Sequence, residues 1–421
     1  MAAHVVNATQ TIVVEGFDWG PAVTATVIDF GAAVAARTLD ARAFRVRDRR
    51  QDYVDDAADA DGIGIVEHER TVVDAYPSDA QGRRLAGDSR YVTLAMAVGV
   101  DDGGCKVWRD SLSMNFWSDP YELIVELAGA ARLAFADGAP IDALEVATDD
   151  LIANRYAPVM DAFATGTFTA SDGRALAFAA HSPAADGERH PLVVWLHGAG
   201  GGGTDVSMAV FDTRCTALVE KPFQTALGGT HVLIPQCDGF WLEYEGMGAD
   251  GPLGNPGLPS VWKRAVLELI DAHIAAHADI DPDRVLVGGC SNGGFLTLDL
   301  AFERPGFFAA AFPICEAYRD AGITDAMLAS IRELPLWFVY TRADVVVDPR
   351  LNEDPTLCRL EKAGATDLHA SIFDDARILH GPSAGHVFPD GHEAWVYFFN
   401  DQCADAHGTR MWDWLARARR R

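Results

Sequence analysis

The sequence predicts two domains of different class: a β-rich unit over residues 1–155, then an α/β domain with a mostly parallel sheet over residues 156–421. Three observations carry this expectation. The chain has 421 residues, more than the roughly 100 to 200 usual for one domain. Its hydrophobic pattern changes after Arg155, from alternation with period two to short continuous apolar runs. In the second half, "VLVGGCSNGGFLTLDLAFERP", residues 285–305, runs from an apolar strand through four glycines around a cysteine, a serine and an asparagine into a helical pattern.

The β-rich half rests on strands such as Phe44 and Val46 alternating with Arg45 and Arg47. A second is Val92, Leu94, Met96 and Val98 alternating with Tyr91, Thr93, Ala95 and Ala97. Period two is the mark of a strand buried on one face. "SDAQG" at 78–82 reads as a turn, and the acidic "DDAADADG" at 55–62 as a solvated loop, because its spacing does not match a calcium-binding loop. In the second half the runs Leu192 to Leu196, Val232 to Ile234, Val285 to Val287, Leu336 to Tyr340 and Ala370 to Phe373 are apolar on both faces. Such strands suit a parallel sheet covered by helices on each side. One covering helix shows its stripe at Trp262, Val266, Leu269, Ile270 and Ile274.

Composition narrows the classes of function. With 49% hydrophobic residues and 10 tryptophans the chain is globular, and no apolar run approaches the ~18 residues of a membrane helix. A net charge of −27 argues against nucleic acid or an anionic membrane as partner. The start lacks a basic region followed by an apolar one, so as the chain stands nothing directs export and a cytoplasmic location is expected. Loss of an export signal would leave the same text and imply secretion, so the compartment stays open. Seven scattered cysteines lack the C-x-x-C spacing of a zinc site or redox pair, and reduced, buried thiols are expected.

The glycines around Ser291 make chemical sense if the serine is a nucleophile. Gly289-Cys290-Ser291-Asn292-Gly293 is a G-x-S-x-G between strand and helix, where a sharp turn needs neighbours without a Cβ so that the hydroxyl projects at the sheet's carboxyl edge. The competing phosphate-binding turn lacks the lysine of G-x-x-x-x-G-K-[ST] and the G-x-G-x-x-G spacing. A serine hydroxyl also needs a base and preorganised donors for the developing oxyanion. "PLVVWLHGAGGGGTD", 191–205, supplies a glycine-rich loop after a buried strand; donors are expected from Ala199 or Gly200 and from Asn292, with His197 shaping the loop. After Leu336 to Tyr340, "TRADVVVDP" offers Asp344 and Asp348 as the acid, and Asp344 is favoured because it lies in the first turn past the strand. "SAGHVFPDGHEAW" offers two histidines, His386 and His392.

Taken together, "PLVVWLHGAGGGGTD", "DPDRVLVGGCSNGGFLTLDLAFERPGFFAAAFPIC" and "GHEAW" resemble the α/β-hydrolase serine esterases related to polyhydroxybutyrate depolymerases and feruloyl esterases. The resemblance covers most of residues 165–417, and "VLIPQCDGFW" is similar to a segment that walls the active site in that family. "GFDWGPAVTATVIDFG" and "RTVVDAYPSDAQGRRLAGDSRYVTL" resemble the immunoglobulin-like domain that precedes the catalytic domain in one branch of these esterases. The resemblance implies an α/β hydrolase behind a β-sandwich. Its G-H-x-x-W motif falls on Gly391 to Trp395 and favours His392; its acid falls on Asp344. Two departures stand out: Tyr340-Thr341-Arg342 where His-Gly is usual, and Glu316-Ala317 where a glycine pair is common. Geometry also favours His392, since Trp395, Tyr397, Phe398 and Phe399 can pin the adjoining helix against the domain, whereas His386 lies among Gly381, Pro382, Ser383 and Gly385.

The implied activity is hydrolysis of a small or polymer-derived carboxylic ester by Ser291, His392 and Asp344, with no metal or organic cofactor. Trp241, Tyr244 and Trp395 are candidates for an apolar substrate wall, with core or lid packing the competing role for each. The rival readings are a serine peptidase of the prolyl-oligopeptidase kind, which normally carries a propeller whose ~40 to 50 residue repeat is missing here, and a polymer-binding protein with an inactive hydrolase half. Self-association through the N-terminal domain is a further expectation.

Overall fold

The computed structural model describes residues 5–55, 57–129, 132–148 and 151–420. Two compact units divide after Asp161, six residues past the boundary the change of pattern suggests. The intervening residues stay with the first unit because Tyr156 exchanges backbone hydrogen bonds with Ile12 and Val14 on its first strand, both at 2.9 Å.

Among the described residues ten strands make the first unit: β1 (Val5–Phe17), β2 (Gly20–Val34), β3 (Phe44–Tyr53), β4 (Ile63–Arg70), β5 (Val72–Ser78), β6 (Ser89–Met96), β7 (Lys106–Arg109), β8 (Met114–Trp117), β9 (Tyr121–Leu127) and β10 (Ala143–Val146). They form a five-stranded sheet in the order β10-β1-β2-β6-β5, a three-stranded sheet β4-β3-β9 and the hairpin β7-β8. Every pairing is antiparallel except β1 with β10. Alternation puts Ile12, Val14, Ile28, Val92, Leu94, Val46, Leu123 and Val125 in the core, the two-layer arrangement of a β-sandwich. "SDAQG" is a turn, closed by the Gly82 N–H on the Asp79 carbonyl at 3.1 Å. In the acidic loop Asp59 and Asp61 pair with Arg109, and Asp61 also binds Ser111; Asp56 lies outside the described residues.

The alternation of β3 continues past Val46 and buries charge. Asp48 and Arg50 occupy core positions with Arg70 of β4. Arg70 Nη1 reaches Asp48 at 3.3 Å and the Tyr121 hydroxyl at 3.0 Å. Its Nη2 donates to the Val23 and Ala97 carbonyls at 2.9 and 3.1 Å, and Asp102 lies 2.7 Å from its Nε. A guanidinium spread over two carboxylates, a phenol and two carbonyls tolerates burial because nearly all its donors are met.

The second unit is an eight-stranded sheet: β11 (Ala164–Thr169), β12 (Ala175–His181), β13 (His190–Leu196), β14 (His231–Gln236), β15 (Ile280–Cys290), β16 (Ala310–Ile314), β17 (Leu336–Thr341) and β18 (Leu368–Phe373). The order is β11-β12-β14-β13-β15-β16-β17-β18. β12 runs antiparallel to both neighbours and the rest are parallel. All five expected runs fall on strands. β11, β12 and β16 escaped the sequence reading: the first two carry little but Ala, Thr, Gly and Phe, and the "AAFPI" of β16 contains a proline.

Among the described residues eight α-helices accompany this sheet: α1 (Val206–Phe211), α2 (Lys221–Leu227), α3 (Lys263–Ala276), α4 (Asn292–Glu303), α5 (Asp325–Ser330), α6 (Glu353–Lys362), α7 (Trp395–Phe399) and α8 (Met411–Arg417). α3 buries Val266, Leu269 and Ile270, as its stripe requires, and adds His273. α4 is buried along ten consecutive residues, which is why its sequence is largely apolar, with Asn292, Thr297 and Asp299 the buried polar exceptions. Six of the seven cysteines are buried and only Cys358, on α6, is exposed. No helix of the described residues is long and apolar enough to cross a membrane.

Candidate active site

Ser291 sits between β15 and α4 with φ 56° and ψ −118°, a conformation that costs an L-residue about 1 to 3 kcal/mol and persists only where the surroundings impose it. The constraint is close approach. A Cβ on Gly293 would lie 2.0 Å from the Leu196 carbonyl oxygen, and one on Gly289 would lie 2.5 Å from the same atom. The Ser291 turn is therefore wedged against the end of β13, and glycine is required on both sides of the serine. The Ser291 N–H is held by the Ile314 carbonyl at 2.8 Å, and its own carbonyl accepts from Phe295 and Ala317 at 3.0 and 3.2 Å.

His392 and Asp344 meet at this edge of the sheet. Asp344 is buried; its Oδ1 accepts the Val346 and Val347 N–H groups at 2.9 and 2.8 Å, and its Oδ2 lies 2.7 Å from His392 Nδ1. The two loops are fastened to each other. Val345 N–H donates to the Asp390 carbonyl at 3.0 Å, the Thr341 hydroxyl donates to the Gly391 carbonyl at 2.5 Å, and Gly391, at φ 66°, lies so close that a Cβ would meet the Ala343 carbonyl group at 2.8 Å. Behind the histidine, Phe398 and Phe399 of α7 pack on Trp195 of β13 with ring centroids 5.8 and 4.8 Å apart. Burial opposes a charged imidazole, but the Asp344 hydrogen bond and charge, with Glu393 and Asp390 adding to them, outweigh it and hold the His392 pKa above its ordinary value.

The competing candidates lie elsewhere. Asp348 pairs with Arg350 at 2.6 Å. His386 is exposed and stands edge-on to Phe388 in the loop that leads to the base. Among the described residues the Ser291 hydroxyl makes no side-chain hydrogen bond, whereas His392 and Asp344 are joined by theirs.

The glycine-rich loop faces the same edge. Ala199 opens a short 3-10 turn and Asn292 opens α4, and the first N–H groups of a helical turn have no partner within it. Ala199, Gly200 and Asn292 thus present backbone donors, and the Asn292 side chain is turned aside to accept the Leu242 N–H at 3.0 Å. His197 is buried, with its Nδ1–H on the Gly198 carbonyl at 2.6 Å, and burial lowers its pKa to about 4. It is neutral and braces the loop. Trp241 braces it too: fully buried, it donates Nε1–H to the His197 carbonyl at 3.1 Å and packs on the His197 ring at 4.6 Å. That corrects its expected place on a substrate wall. Tyr244 and Trp395 are half-buried, and Trp395 meets the His392 ring edge-on at 5.6 Å.

Gln236 at the end of β14 was missed. Its Nε2 donates to the Gly201 and Asp205 carbonyls at 2.9 and 3.0 Å and pins the glycine loop; the signal was a polar residue inside the apolar run "VLIPQC". Glu393 was also missed. Burial and the nearby Asp390 push its pKa up to about 8 beside His392.

Comparison with known proteins agrees with this architecture. Residues 9–131 match the family described as the esterase Ig-like N-terminal domain. The crystal structure of a thermostable esterase is similar over 93% of this chain and 96% of its own, with a TM-score of 0.73 at 22% identity. An acetyl xylan esterase from Paenibacillus sp. R4 is similar over 56% of this chain and 82% of its own, with a TM-score of 0.37 and 17% identity. Nothing among curated protein sequences matches. The fold is that of an α/β hydrolase preceded by an immunoglobulin-like sandwich. Within that class, the first unit is of the kind found at the N-terminus of esterases.

Proposed function

We propose that the protein is a carboxylic ester hydrolase that works through an acyl-enzyme on Ser291. The observation that carries the reading is the 2.7 Å contact between His392 Nδ1 and Asp344 Oδ2 at the sheet edge that holds the strained Ser291 turn. His392 Nε2 takes the hydroxyl proton as Ser291 attacks the ester carbonyl, and Asp344 supports the imidazolium that results. The N–H groups of Ala199 or Gly200 and of Asn292 stabilise the tetrahedral oxyanion. His392 then gives its proton to the departing alkoxide, and a water activated by the same ring releases the acid.

Tyr244, Trp395 and the exposed Val345 and Val346 beside Asp344 offer apolar surface to an acyl or aromatic group. Assay of short-chain and aryl p-nitrophenyl esters beside peptide anilides tests the reading, with a fluorophosphonate probe expected to label Ser291 alone. Ser291→Ala should keep the fold and lose hydrolysis. Peptide anilides turned over faster than any ester, or labelling at another serine, would overturn it.

A further inference from the structure

The turn that follows β14, Cys237 to Glu243, is bonded both to the glycine-rich loop and to the start of α4. Trp241 donates Nε1–H to the His197 carbonyl at 3.1 Å, two residues before Ala199. The next residue, Leu242, donates its N–H to Asn292 Oδ1 at 3.0 Å. Asn292 is 1% exposed and its Nδ2 has no partner, so among the described residues only Leu242 fixes its amide by a hydrogen bond. The His197 carbonyl is crowded from the other segment as well, since a Cβ on Gly293 would lie 2.7 Å from its oxygen. The turn holds its own shape through further bonds. Glu243 Oε1 accepts the Phe240 N–H at 3.0 Å and its Oε2 the Trp262 Nε1–H at 3.2 Å. Asn255 Nδ2 donates to the Leu242 carbonyl at 2.8 Å, and the Val261 N–H to the Glu243 carbonyl at 2.9 Å.

We propose that Phe240 to Glu243 form a strap that fixes the spacing between the two halves of the oxyanion hole, with Trp241 and the Asn292 side chain as positioning residues. The proposal rests on the hydrolase reading above, in which one donor comes from Ala199 or Gly200 and the other from the Asn292 backbone. The sheet alone does not set the gap between them. β13 and β15 are paired only as far as Leu196 and Gly289, and both donors lie beyond those residues. Two successive residues of the strap span the gap instead, Trp241 to the loop and Leu242 to α4, while Glu243, Asn255 and Val261 keep the strap from stretching. Spacing matters because a donor stabilises the oxyanion only at about 2.7 to 3.1 Å from where that oxygen forms, and one well-placed donor is worth about 10² to 10³ in kcat. The charge exists in the transition state and not in the bound ester, so a slack strap lowers kcat and leaves KM nearly as it was.

Two substitutions cut the strap at its two ends in the full-length protein. Trp241→Phe keeps an aromatic ring against His197 and removes the Nε1–H. Asn292→Leu keeps the backbone N–H and a side chain of similar shape, and removes the acceptor for Leu242. On one p-nitrophenyl ester each should lower kcat by about tenfold or more with KM within about twofold. An aryl boronic acid, which bonds to the Ser291 oxygen and places an oxygen where the oxyanion forms, should lose affinity by a similar factor. The double variant should be no more than about twofold worse than the poorer single, because either cut frees the same strap. Effects that multiply in the double variant, a raised KM with kcat unchanged, or wild-type affinity for the boronic acid would overturn the strap. If either variant does not fold, Glu243→Gln decides: it replaces one of the two acceptor oxygens that shape the turn with a donor, and must show the same split of kcat from KM. A wild type inactive on every ester overturns the hydrolase reading and the strap with it, whereas an active wild type with any of the contrary results overturns the strap alone.

Discussion

At the scale of single residues, two histidines separated by six positions have opposite fates. His392 is clamped by Asp344 at 2.7 Å, and His386 is exposed with its ring on Phe388. His392→Ala is expected to lower kcat by about 10³-fold or more, as loss of a triad base does, and His386→Ala by far less. Side-by-side assay on one short-chain ester, with thermal melts as a folding control, separates them; a dead H386A enzyme beside an active H392A would reverse the assignment. Asp344→Asn carries a second signature. The carboxylate is what lifts the His392 pKa against burial, so without it the acidic limb of kcat/KM should move to lower pH. The serine was readable from the sequence because the Leu196 carbonyl forbids a Cβ at Gly289 and Gly293 and leaves a visible pair of glycines. The histidine was less so, since what selects it is a loop-to-loop fit that no local pattern encodes.

At the scale of elements, the site depends on joints between loops. Gly391→Ala puts a Cβ 2.8 Å from the Ala343 carbonyl at a φ of 66°, so it should cost about 1 to 3 kcal/mol of stability and lift the base off its acid. A drop in kcat of about tenfold to a hundredfold with KM little changed is the expected reading, and unaltered kinetics would show that the joint has slack. In the sandwich the sensitive point is electrostatic. Asp48→Ala leaves Arg70 and Arg50 buried beside a vacancy and should cost about 3 to 5 kcal/mol in denaturant unfolding. A loss below about 1 kcal/mol would mean that Asp102 and the carbonyls suffice for Arg70. The strand pattern announced that β3 has an inward face; it could not say that two charged side chains sit on it, because their partners lie on β4, β9 and the Asp102 loop. β11 and β12 were invisible for a different reason, as strands built mostly of small residues show little alternation.

At the scale of the whole molecule, titration sets a stability optimum. Glu393, with a folded pKa near 8, and His392, held above its ordinary value, both bind protons more tightly in the folded state. Their stabilisation is therefore present at lower pH and lost as pH rises through those values. His197 and His273 work the other way: burial lowers each to about 4 from 6.5, so stability is lost as pH falls from 6.5 toward 4, by about 3 kcal/mol for the fully buried His197 and by less for His273, whose charge solvent screens in part. Asp299, Glu316 and Glu353, also raised by burial, add to the loss on the alkaline side, so Tm should fall from neutral to alkaline pH, and a Tm that climbs steadily over that range would contradict this balance.

The distribution of thiols makes the molecule its own folding gauge. Cys290 and Cys315 flank the Ser291 backbone, yet burial raises both thiols far above the range where they react, as it does at Cys105, Cys215, Cys237 and Cys403. Only Cys358 meets solvent. A maleimide should take up one equivalent on the native protein and seven after denaturation. Because Cys358 lies on α6, the helix that begins at Glu353, a dye attached there would report any loosening of the segment that runs from Asp344 into that helix.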